Sequence, residues 1–240
     1  MKKSVIFLGG MVITMIAAGQ NQRTMEEITV TPPKFSGTEI FIQGNYFATV
    51  EDYLYNAVQY PQEALTNGMQ GTEVVRFVVN PEGNVSGFTI INSICPEIDK
   101  EVIRVLSLSN GLWKPGSING TPAAMEQEVS VAFKLHPTND FVTMAKDYLK
   151  QGIRNLQKGN LKRALGYFNE AVNLLPREEA LLAVRGMCRC QCGDKAGAVA
   201  DCERLKSMGY FDKRNAENEF TTGNMEGLKA FAETVTIYDK

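Results

Sequence analysis

The hydrophobic periodicity of this chain changes once, and that change constrains the fold more than any other feature. From Thr72 to Leu135 apolar side chains recur mainly at every second position, apart from one helical stretch, whereas from Phe141 onward they recur at every third or fourth. A period of two sends successive side chains to opposite faces of a strand; a period near 3.6 lines one face of a helix. The first part therefore calls for an α+β architecture and the second for an all-α one. Within 240 residues, that is one or two domains.

In the first part, Thr72 to Val79 and Val85 to Ile91 flank Asn80-Pro81-Glu82-Gly83-Asn84, which predicts a β-hairpin. Pro81 fixes one φ and Gly83 tolerates a positive one. Val75, Phe77 and Val79 share a face with Glu73, and that face is the core side. Ile98, Val102, Val105, Leu106 and Leu108 then follow helical spacing behind Pro96. A Gly-rich bend around Trp113 and Gly116 leads to a last alternating strand, Glu128 to Leu135. Upstream, Val50, Tyr53, Leu54 and Ala57 form a short amphipathic helix, and Pro61 to Leu65 begins another. The expected order is α-α-β-β-α-β.

Gln59-Tyr60-Pro61, Gly71 before the alternating strand, Glu82-Gly83, Ile98-Asp99, Trp113-Lys114-Pro115-Gly116, Asn119-Gly120 and Phe133-Lys134-Leu135 occur in one order. Together they resemble the TonB C-terminal domain family, and Pro33-Lys34-Phe35 with Thr49 to Pro61 resembles its Bacteroidota-type variants. Glu73 departs from the pattern, standing where an apolar strand residue is usual. The resemblance implies a domain over 49–136 that binds protein rather than turning over substrate. Its expected partner is the plug segment of an outer-membrane TonB-dependent transporter. The physical mode would be strand addition, in which unpaired backbone groups on an exposed strand dock a partner's strand. Val129 to Leu135 is the candidate edge, with Val129, Val131 and Phe133 as contact residues and Gln59, Tyr60 and Pro61 as the adjacent recognition segment. Tyr60 and Pro61 serve equally well as a packed ring and a helix start.

The second part, 140–240, carries an internal repeat. A shift of 34 residues superposes Gly152 on Gly186, Gly159 on Gly193 and Ala164 on Ala198. A helical-hairpin repeat of that length resembles the tetratricopeptide family. Tyr148, Gly152, Gly159, Ala164, Phe168, Ala171 and Pro176 carry the likeness in the first copy, about 145–178. The second, about 179–212, is degenerate, and about 215–238 reads as a capping helix. The resemblance places Leu149, Ile153 and Met187 toward a concave groove, which either takes a partner or packs internally.

The N-terminus bears on location. Lys2 and Lys3 precede an uncharged, mostly apolar run of 16 residues, Ser4 to Gly19, which ends in small residues. That is the pattern of a secretory signal peptide over 1–19, and it falls short of the ~20 residues a spanning helix needs. A periplasmic protein is expected, with an inner-membrane anchor as the alternative should 4–19 be retained. Residues 20–48 form an extended segment of 29 residues. It reaches at most about 100 Å, short for a transducer spacer.

Composition removes other classes. Without residues 1–19 the chain holds 23 basic and 27 acidic side chains, distributed as −6 over 20–138 and +2 over 139–240. Neither part has the basic stripe a nucleic-acid partner requires. The single histidine, His136, rules out a multi-histidine metal centre and has no nucleophile or carboxylate at a readable spacing. Glu97, Asp99 and Glu101 read as a solvated first helical turn. The odd set of five cysteines is no disulfide framework, and in a helix Cys188 and Cys192 share a face that Cys190 does not. One oxidised pair and small buried thiols both remain open. No enzyme activity, cofactor, metal or small-molecule substrate is expected.

Overall fold

The computed structural model describes residues 4–7, 28–36, 47 and 49–209. The chain divides into two compact units, 1–135 and 136–240. The capping segment expected over 215–238 lies outside the described residues.

In the first unit the strands are β1 (Ser4–Phe7), β2 (Val30–Thr31), β3 (Lys34–Phe35), β4 (Gly71–Val79), β5 (Val85–Asn92), β6 (Trp113–Lys114), β7 (Gly116–Ile118), β8 (Thr121–Ala123) and β9 (Met125–Phe133). The helices are α1 (Val50–Ala57), α2 (Gln62–Thr66) and α3 (Pro96–Ser107). The main sheet is antiparallel with order β1-β9-β4-β5, and two small sheets, β2-β7-β8 and β3-β6, lie beside it. The expected α-α-β-β-α-β series is present. The short strands and β1 are additions to it.

The β4–β5 hairpin forms because its loop satisfies its own polar groups. The Asn80 side-chain oxygen accepts from the backbone N–H groups of Glu82 (3.1 Å) and Asn84 (2.8 Å), and Gly83 takes φ +80°. A Cβ at Gly83 would overlap the carbonyl oxygen of Trp113, so the loop seats directly on the β6 segment. From β4, alternation sends Val75, Phe77 and Val79 into the core, where they meet Ile98, Val102, Val105 and Leu106 of α3 and Tyr53 and Leu54 of α1. Pro96 opens α3 at its first turn, where its missing N–H costs nothing.

Trp113 is 3% exposed at the centre of this core. Its ring centroid lies 5.3 Å from Phe35 and 5.4 Å from Phe77, both edge-on, and its indole N–H donates to Ser109 Oγ at 3.0 Å. The Tyr53 hydroxyl donates to the Val105 carbonyl at 2.9 Å, so both polar tips are satisfied where water is excluded.

Among the described residues the second unit contains four packed helices, α4 (Phe141–Gln157), α5 (Leu161–Leu174), α6 (Glu179–Gln191) and α7 (Lys195–Ser207), arranged as helical hairpins. The 34-residue repeat has a direct physical basis. Gly159 and Gly193 take φ +75° and +82° at the two hairpin turns, and Ala164 and Ala198 are both buried where the helices of each hairpin meet. Gly152 lets α4 approach α5 so closely that a Cβ there would overlap the Phe168 ring. In the second hairpin a buried ion network takes the place of an aromatic contact. Arg185 pairs bidentately with Asp201 (2.6 and 3.1 Å) and Arg189 joins at 3.0 Å, with Asp201 only 2% exposed.

Candidate functional site: the β9 margin of the main sheet

Strand β9 pairs with β4 over nine positions, from Gly71↔Phe133 to Val79↔Met125. Val129, Val131 and Phe133 are fully buried on the core face. Their side chains are therefore unavailable to a partner, and only their backbone could contribute to strand addition. Ser130 and Ala132, on the opposite face, are 2% and 7% exposed.

The expectation that Val129 to Leu135 forms an open edge is corrected by the structure. Ser4–Phe7 lies antiparallel along β9, in the register Ser4↔Ala132, Val5↔Val131, Ile6↔Ser130 and Phe7↔Val129. The C-terminal half of β9 is thus paired on both sides. Over Met125 to Glu128, no strand among the described residues occupies that side. The physical reason is that an exposed row of N–H and C=O groups recruits any available strand, and a β-branched, uncharged segment of the same chain is available.

Of Gln59, Tyr60 and Pro61, Tyr60 contacts β9. The Tyr60 ring packs edge-on against Phe133 at 5.2 Å, and its hydroxyl donates to the Met69 carbonyl. Burial, with a smaller contribution from Cys95, pushes the Tyr60 phenol up to about 12, so it remains a protonated donor. Pro61 caps α2 from the residue before its first turn. Tyr60 therefore fastens the segment to β9 and Pro61 starts α2, which leaves Gln59 as its exposed member. The Gln59 backbone N–H is held by Glu101 Oε1 at 2.8 Å.

The departure at Glu73 becomes explicable here. Glu73 is fully buried next to β9, opposite Val131. The Ile94 N–H donates to Oε2 at 3.0 Å, while Oε1 has no partner. Burial pushes its pKa up to about 9; the Ile94 bond opposes the rise and nearby Asp99 adds to it. A neutral carboxyl suits this setting, since a charged one would place an unpartnered anionic oxygen in the core near Asp99, which accepts from Ser93 Oγ at 2.8 and 3.1 Å. Asp99 is thus not merely solvated, and Glu101 is tied to Gln59 and Arg104. The signal for Glu73 was in the sequence: an acid on the core face of an apolar strand.

In the helical unit, Leu149 is 5% exposed, whereas Ile153 and Met187 are half-buried. None of the five cysteines is joined in a disulfide in this structure, and burial beside Cys192 pushes the Cys188 thiol up to about 12, away from the thiolate a metal would need. No cluster of three metal-ligating side chains occurs among the described residues. None of the described helices is long and apolar enough to cross a membrane.

Residues 56–135 match the family model for the Gram-negative bacterial TonB protein C-terminal, so this segment is a TonB C-terminal domain. The chain is also homologous over part of its length to tetratricopeptide repeat protein 36. Identity is 32% over 77 residues with the Danio rerio protein, covering 32% of this chain and 41% of that one. With the Mus musculus protein it is 33% over 75 residues, covering 31% and 40%. The chain thus spans less than half the length of these curated relatives. The solution structure of the Helicobacter pylori TonB C-terminal domain aligns at 16% identity and a TM-score of 0.29, covering 38% of this chain and 92% of that one. A TonB C-terminal domain suggests a TonB-like role in binding protein, and domains of these two kinds are typically non-catalytic.

Proposed function

We propose that this is a non-catalytic periplasmic protein-binding module whose first unit engages the plug segment of an outer-membrane TonB-dependent transporter by strand addition along β9. The observation that carries this reading is the side of β9 facing away from β4, which takes an antiparallel strand right beside the Gln59-Tyr60-Pro61 segment. Backbone pairing supplies affinity there, and the exposed Gln59, next to the Tyr60 that packs on Phe133, is the residue offered to the incoming segment. A photo-crosslinking residue at Gln59, activated in intact envelopes and followed by mass spectrometry, tests it. Plug peptides of an outer-membrane transporter are the expected adducts; adducts confined to other proteins would remove the reading.

A second reading, an envelope scaffold that docks partners on its helical repeats, draws on the half-buried Ile153 and Met187. Under it, Ile153→Glu with Met187→Glu abolishes partner capture while Gln59 crosslinking is unchanged. Under the first reading the double variant leaves transporter adducts intact.

A further inference from the structure

We propose that residues 4–7 are an internal occupant of the strand-addition site, so that a partner strand reaches β9 only once this N-terminal segment has left it. The inference rests on the strand-addition reading above and adds the control of that site. Four consecutive residues of β1 pair in unbroken register with Val129 to Ala132. Those same β9 residues pair on their other side with Val75 to Thr72 of β4, which leaves no backbone capacity for a third strand. A partner strand and β1 therefore need the same N–H and C=O groups.

The seat is also bounded along its length. Helix α1 lies against β1 as well as against β9, so the occupant is flanked by the core helix. Its sequence, Ser4-Val5-Ile6-Phe7, is uncharged and rich in strand formers. A tethered strand competes at an effective concentration in the millimolar range, which a partner free in solution must exceed. Removal of the segment, by cleavage in the manner the N-terminal sequence suggests or by withdrawal into a bilayer, abolishes that competition. Before removal, the same pairing covers the C-terminal half of a β9 margin that would otherwise invite strand pairing between copies.

The test uses the full chain in detergent micelles and its Val5→Pro/Ile6→Pro variant, which lacks two backbone donors in β1. Hydrogen exchange is followed at the amides of residues 129–132, and binding of a synthetic peptide of residues 2–9 is titrated. Amides directed at β1 are expected to be protected in the parent and to exchange freely in the variant, while those directed at β4 stay protected in both. The peptide is expected to bind the variant about tenfold or more tightly than the parent. Equal, fast exchange of the outward amides in both proteins would overturn the inference; peptide binding to both would then leave strand addition standing. Release of the amides with no peptide binding to either would sink strand addition, and the competition with it. Should the proline pair disturb the β4-directed amides as well, Ser4→Cys/Ala132→Cys decides. A disulfide mapped between those positions, with peptide binding lost until reduction, supports the occupant, and failure of that bond to form excludes it.

Discussion

Glu73 makes the pH dependence of the first unit a property of one residue. Its pKa in the folded chain, about 9, lies above the ordinary carboxyl value of 4.5, so across that interval the unfolded chain releases a proton that the folded chain keeps. Stability contributed at this site is therefore greatest below about 4.5 and falls as pH rises toward 9. Glu73→Gln should remove that slope: in urea unfolding at stepped pH, the variant gains on the parent steadily between pH 5 and 9 and matches it at the acid end. Parallel curves would show that Glu73 ionises normally. A second residue-scale expectation concerns Gly152, where a methyl group would press into Phe168. Gly152→Ala should cost the helical unit about 1–3 kcal/mol by thermal unfolding. Glu73 was legible as an anomaly in an alternating strand. Its partner Asp99 was not, because helical spacing alone places Asp99 in a first turn open to solvent.

At the scale of elements, legibility followed length and period. The β4–β5 hairpin, α3 and the helices α4 to α7 each repeat their period often enough to be read directly, and glycines mark their turns. Strands of two or three residues, such as β2, β3 and β6, contain no complete period, so only their tertiary pairing defines them. β1 was hidden differently, since its residues open an apolar run whose composition reads as an export segment. The pairing of the β9 margin was not legible, because pairing between residues more than a hundred positions apart leaves no local pattern. The ion network joining α6 to α7 gives the prediction at this scale. Asp201→Ala takes the carboxylate from Arg185 in a half-buried setting, leaves Arg189 to Asp194 and the Gly197 carbonyl, and should cost about 3–5 kcal/mol, read by far-ultraviolet circular dichroism. Replacing all three by apolar residues of similar volume should recover much of it.

Across the whole molecule, two units of different construction share one chain and carry opposite net charge, −6 over 20–138 and +2 over 139–240. The TonB C-terminal domain was legible from a set of short motifs held in order. The helical unit was legible from its repeat. What neither pattern conveys is the state of the N-terminus, on which access to β9 depends. The mass of the N-terminus in soluble and membrane fractions of the native envelope is the measurement at this scale. A soluble chain beginning at Gln20 is expected, and retention of Lys2 and Lys3 in the membrane fraction would instead favour an anchored form.

Trp113 also has a use beyond packing. It is the only tryptophan in the chain, and it is enclosed by Phe35, Phe77 and Ser109 in the first unit. Emission excited at wavelengths that tyrosine scarcely absorbs therefore comes from that core alone. A red shift marks water reaching the indole there, and the helical repeats are silent in that signal. One sample thus yields two optical records, fluorescence for the strand-bearing unit and helical ellipticity weighted toward the repeats, and their midpoints can be compared without cutting the chain.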